Sequence, residues 1–123
     1  MPFNSVIDAD RRLVVTTGTG VVTGDEGLAC CVQLKDRKDF DPAFNQLLDF
    51  TPATRFDATA AQLRTIALQP LFSRASRRAI VAPNPTIFGL ARMFESYRSI
   101  SEVGEHVMVF SAMDKALEWL EAR

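Results

Sequence analysis

A surplus of charge of either sign is what this chain most plainly lacks. Fourteen Lys+Arg stand against fifteen Asp+Glu, a formal net charge of -1, so no bulk field draws it to nucleic acid or to an anionic membrane. No apolar run approaches the roughly 20 residues that a membrane helix needs, and membrane insertion is not expected. The opening stretch, MPFNSVIDADRR, has neither the basic start nor the apolar segment of a secretory leader. The chain is therefore expected to be cytoplasmic. Histidine is nearly missing, with His106 the only one. Cysteine is scarce, and its two copies, Cys30 and Cys31, are neighbours. A ring closed between adjacent residues is strained, which argues against an ordinary structural disulfide. One histidine with two cysteines makes no zinc set, so no metal or other cofactor is expected. The pair reads as two small, buried or half-buried apolar side chains.

What remains is an ordinary globular composition. The 123 residues are 47% hydrophobic and 24% charged, enough for one domain (residues 1–123) with a core of its own. Turn signals punctuate a regular alternation of strands and helices. Phe3–Ile7 and Leu13–Thr17 read as two strands joined by so short a turn that they must be antiparallel. Thr23 with Glu26 forms a capping box, opening a helix to about Lys38 whose stripe is Leu28, Cys31, Val32 and Lys35. Phe44–Phe50 is the next strand, ended before Pro52. A second helix starts near Asp57 or Thr59, turns Leu63, Ile66 and Ala67 inward, and stops at Pro70. Arg78–Ala82 is a short apolar strand. Asn84-Pro85 caps a third helix with Ile87, Leu90, Ala91, Phe94 and Tyr97 on one stripe. Val107–Phe110 is the fifth strand. Ser111 with Asp114 reads as a further capping box, opening a last helix, Ala112–Ala122, with Ala116, Leu117 and Leu120 inward.

The order is β-β-α-β-α-β-α-β-α. Strands separated by a helix are normally parallel and joined by right-handed crossovers. The expectation is an α/β domain with a mostly parallel five-stranded sheet, its first strand antiparallel at an edge, and about four helices.

Particular residues then carry a resemblance. Leu47-Leu48-Asp49-Phe50 ends a strand, and eight residues past Asp49 comes Asp57-Ala58-Thr59. Arg78-Ala79-Ile80-Val81-Ala82-Pro83 follows, then Val109-Phe110-Ser111 leading into Ala116-Leu117. The stretch from Leu47 to Leu120 resembles the STAS fold of the anti-sigma factor antagonists. With Phe88-Gly89-Leu90-Ala91-Arg92-Met93, it looks closest to the bacterial SpoIIAA-like (STAS/SEC14-type) group. The resemblance implies a single STAS-like domain serving as a non-catalytic interaction or regulatory module. In the phosphorylated members the residue after the helix-opening Asp is a serine; here it is Ala58, which has no hydroxyl. The switch region Asp57, Ala58 and Thr59 is thus degenerate, with Thr59 expected to cap the helix through Gln62.

Chemistry is otherwise thin. His106 has no sequence-adjacent nucleophile to activate, and Thr17-Gly18-Thr19-Gly20 lacks the lysine of a phosphate loop. No enzyme activity is expected. Arg74, Arg77 and Arg78, with Arg92 and Arg98 on the next helix, read either as a solvated rim or as a patch for an anionic head group. Phe88 and Met93 fall outside the third helix's stripe. With Arg92 and Phe94, they mark a candidate surface for a protein partner, a second copy of the chain, or a small apolar or lipid-like ligand. A homodimer anchored by Phe88, using the third helix or an uncovered sheet face, is the expected assembly.

Overall fold

The computed structural model describes residues 2–100 and 106–122, with the backbone alone at Ile100. Its elements are β1 (Phe3–Asp8), β2 (Leu13–Gly18), β3 (Gly20–Thr23), α1 (Gly24–Lys35), β4 (Asn45–Asp49), β5 (Ala53–Asp57), α2 (Ala60–Ala67), β6 (Arg77–Val81), α3 (Pro85–Ile100), β7 (His106–Phe110) and α4 (Met113–Glu121). The main sheet has the order β1-β2-β4-β6-β7. β1 pairs antiparallel with β2, and every other pairing in the sheet is parallel. The expected architecture is therefore the observed one, with strand one at an edge.

Sequential strand order has a consequence. Each right-handed crossover in a sheet that advances in one direction puts its helix on the same face. α1, α2 and α3 accordingly share one face, and α4, which follows the last strand, takes the other. There Ala116 and Leu120 pack on Leu13, Leu47, Ala79 and Val81. α4 thus covers the centre of the face that a second subunit was invoked to cover. The large apolar side chains it leaves exposed are Val6 on one edge strand, 57% exposed, and Met108 on the other, 44%.

Local signals placed most boundaries. The Thr23 hydroxyl accepts from Glu26 N at 3.2 Å while the Glu26 carboxylate accepts from Thr23 N at 2.9 Å. Thr59 and Gln62 repeat the arrangement at 3.1 and 2.9 Å. Asn84 Oδ1 accepts from Thr86 N and Ile87 N. α4 departs from expectation: its N-cap is Ala112, with no side-chain cap bond, in place of Ser111.

Two other expectations need correcting. α1 does not turn Leu28, Val32 and Lys35 inward; Val32 and Lys35 are exposed and Leu28 only half-buried. Its inner stripe is Gly24, Gly27, Cys30, Cys31 and Leu34, because the helix runs close to α2. A Cβ on Gly24 would run into the Gln62 side chain, and one on Gly27 would lie 3.2 Å from Ile66 Cδ1, so the small residues are what permits the approach. Secondly, residues 20–23 and 53–57 are strands in their own right. β3 and β5 form a two-stranded parallel sheet, irregular at Gly20, whose φ of +67° suits glycine. Asp57 therefore ends a strand, and Thr59 is what opens α2.

Candidate functional site

Between the sheet and its three-helix face lies a cavity of about 70 Å3. Its wall is mostly apolar. Phe3, Phe50 and Phe56 close one end, with Phe50 and Phe56 stacked at 5.3 Å and Phe3 edge-on to both. Ile66 of α2 and Leu90, Ala91 and Phe94 of α3 contribute from above. α1 supplies Gly27, both cysteines and Leu34.

The sheet side of the cavity carries polar groups from three neighbouring strands, and Ser5 of β1 continues the row beyond the cavity lining. Ser5, Thr16, Gln46 and Arg78 stand on β1, β2, β4 and β6, and the last three are only 1%, 4% and 7% exposed. Arg78 Nε donates to Gln46 Oε1 at 2.9 Å, and Gln46 Nε2 donates to Thr16 Oγ1 at 3.0 Å. The direction is forced: a guanidinium can only donate, so the amide oxygen must face Arg78 and the amide nitrogen Thr16. Thr16 and Ser5 hydroxyls share a 2.9 Å bond, and Ser5 lies 3.8 Å from Cys30 Sγ. The Arg78 guanidinium stacks over Phe72 at 4.6 Å and Phe94 at 5.4 Å. A delocalised, weakly hydrated cation tolerates such faces better than an ammonium would.

The two thiols meet this row from α1. Burial pushes both above the ordinary thiol range, while the Arg78 charge pulls both back down. At Cys30 the Ser5 hydroxyl is the larger lowering influence, ahead of Arg78, and Cys30 itself adds to the rise at Cys31. Protonated thiols are poor nucleophiles. A thiol held protonated in the fold but free to ionise when unfolded leaves stability intact below the ordinary thiol range and reduces it as pH rises through that range. Urea midpoints are thus expected to fall from pH 8 to 10 in the wild type, and to fall less steeply in Cys30→Ala. Parallel curves would show that Cys30 is not the source.

The residues singled out in the sequence are dispersed. Phe94 is buried and lines the cavity. Phe88 is half-buried against the same core. Met93 and Arg92 are exposed outside the cavity, Arg92 with Glu95 at 3.4 Å. Asp57 accepts from Arg55 Nε, Thr59 caps α2, and Ala58 is half-buried between them. The arginine patch dissolves: Arg78 is in the cavity wall, Arg98 is 6% exposed and donates to Ala67 O, and Arg77 donates to the carbonyls of Trp119 and Ala122. His106 is exposed and faces the α4 side, opposite the cavity. Sequence reasoning missed Thr16 and Gln46. Their one signal is a polar residue inside an apolar strand, which acquires meaning only when the register is known.

No protein-family model matches the chain, and no curated protein matches it. Among solved structures it is similar to an uncharacterised protein from Shewanella loihica with a SpoIIAA-like fold, at TM-score 0.58 and 16% identity over 96% of this chain and 91% of that one. It is also similar to the anti-sigma factor antagonist SpoIIAA in its unphosphorylated form, at TM-score 0.53 and 15% identity over 98% and 99%. The fold is SpoIIAA-like, a STAS-like α/β domain.

Proposed function

We propose that this chain is a non-catalytic regulatory binding module whose cavity takes a small, largely apolar ligand. The observation that carries this reading is the cavity itself: apolar walls with a few convergent polar groups on one side, the common form of a small-molecule site. The groups in reach are an amide, a guanidinium, one hydroxyl and two thiols whose ionisation burial opposes, which suits holding a ligand better than transforming it. The likeness to an anti-sigma factor antagonist supports regulation as the setting. A phosphate switch at Ala58 forms no part of the proposal, since alanine offers no hydroxyl. At about 70 Å3 the space is smaller than the roughly 150 Å3 cavity known to take up benzene, so the ligand has few heavy atoms.

Amide NMR spectra titrated with 1-butanol test the proposal. Shifts are expected to concentrate at Gly27, Cys30, Leu48, Phe56 and Ala91. They should be lost in Ala91→Leu, which fills the space. Absent shifts, shifts scattered over the surface, or an unchanged response in the filled variant would overturn it.

A further inference from the structure

We propose that the cavity takes a small neutral carbonyl compound, with its oxygen on the second N–H of the Gln46 amide and its hydrocarbon against Phe3, Phe50 and Phe56. This rests on the cavity being a ligand site, as proposed above, and names the class of what enters it.

The polar side of the cavity has its acceptors engaged and keeps a donor. Gln46 is buried and stands with Leu48 on the cavity side of β4, while Leu47 between them packs under α4. Its Oε1 accepts from Arg78 Nε, and one of its two amide N–H groups donates to Thr16 Oγ1. The second N–H has no acceptor among the described residues. Thr16 Oγ1 is engaged twice, by Gln46 and by Ser5. Cys30 and Cys31, thiols whose ionisation burial opposes, add only weak hydrogen-bonding groups. The other end of the cavity, made by Phe3, Leu48, Phe50, Phe56 and Ile66, has no polar side-chain atom. A compound matching both ends has one acceptor and is otherwise hydrocarbon.

A buried N–H without an acceptor is costly, and a purely apolar ligand leaves it so. A carbonyl oxygen supplies the acceptor and brings no hydrogen that needs a partner of its own. A hydroxyl brings one, and the oxygens in reach are already engaged. A carboxylate would also accept, but burying its charge demands a partner for that charge. The Arg78 guanidinium is already held by Gln46, by two rings and by further contacts. The neutral carbonyl is what the donor and the apolar wall select together.

Two probes of one shape decide the matter: 2-butanone, and 2-methyl-1-butene, which has a CH2 group where the ketone has oxygen. Both are followed by the backbone amides of the cavity residues and by the two Nε2 proton signals of Gln46. Each probe is expected to shift the backbone amides. Only 2-butanone should move a Gln46 Nε2 proton downfield, the one not bonded to Thr16. Gln46→Glu keeps an acceptor for Arg78 and removes both N–H groups. In that variant 2-butanone should bind roughly threefold to tenfold more weakly, the worth of one neutral hydrogen bond, and the alkene within about twofold of wild type. If either probe shifts the backbone amides while the Gln46 protons stay where they were, the carbonyl is wrong and the proposed function stands. If neither shifts the backbone amides, both fail together. Equal weakening of the two probes in Gln46→Glu would also overturn the inference, because the amide would not be what holds the oxygen. Should that variant fail to fold, the Gln46 proton signals of the wild type still decide.

Discussion

Gln46→Leu is expected to destabilise the domain by about 2–4 kcal/mol, and to do so although leucine fills nearly the same space. Gln46 accepts from the buried Arg78 guanidinium and donates to the buried Thr16 hydroxyl. Losing a hydrogen bond to a charged group costs roughly 1.5–3 kcal/mol and losing a neutral one roughly 0.5–1.5 kcal/mol, with extra apolar burial offsetting only part. Against a typical total stability of about 5–15 kcal/mol this is a large share. It should appear as a melting temperature lower by roughly 10 °C. Thr16→Val is the companion measurement. It removes the neutral bonds and leaves Arg78 with its amide acceptor, so it should cost about 1 kcal/mol. Equal losses in the two variants would show that the guanidinium is not where the energy lies. A Gln46→Leu midpoint within a degree or two of wild type would show that the polar row contributes little.

Phe50→Ala should be at least as damaging, for an unrelated reason. Phe50 follows β4 and is buried, stacked on Phe56 and edge-on to Phe3. Its backbone N–H also donates to Val81 O, so the backbone at this position is held and cannot easily move in to fill the vacated space. Truncating a buried phenylalanine typically costs about 3–5 kcal/mol, the larger values where the site cannot collapse. The variant should unfold at a markedly lower urea concentration with an unchanged slope, the signature of a stability change between the same two end states. Because Phe50 lines the cavity, the truncation also enlarges it. A variant that remains folded is expected to take up 1-hexanol more tightly than the wild type does, followed by amide shifts at the cavity residues. A loss under 1 kcal/mol would contradict the packing of the three rings.

Three of the four expected caps were legible because each is closed within three residues; the fourth, Ser111 with Asp114, is not formed. Thr23 and Glu26, Thr59 and Gln62, and Asn84 with Ile87 make bonds that depend on local spacing alone. The main sheet was legible because its strands are apolar runs bounded by turn residues, and chain chirality turns β-α-β into a parallel pair. That also fixed the antiparallel edge, since the turn between Asp8 and Leu13 is too short for a crossover. What the sequence could not determine depends on residues meeting across long separations. β3 and β5 become strands by pairing with each other about thirty positions apart; β3 is only four residues long and β5, Ala-Thr-Arg-Phe-Asp, is no apolar run. α1 has a face of small residues because α2 lies against it, and a hydrophobic stripe read along one helix knows nothing of the second. Arg78 looked like the charged start of a strand at a solvated rim. It is buried because β4 brings Gln46 into register with it, while α3 brings Phe94 over it. A guanidinium is costly to bury unless hydrogen bonds and ring faces replace its water, and those partners come from residues remote in the chain. The local code thus wrote the main-sheet strands and three helix starts, and tertiary packing decided the small second sheet and which polar groups were enclosed together to make the cavity.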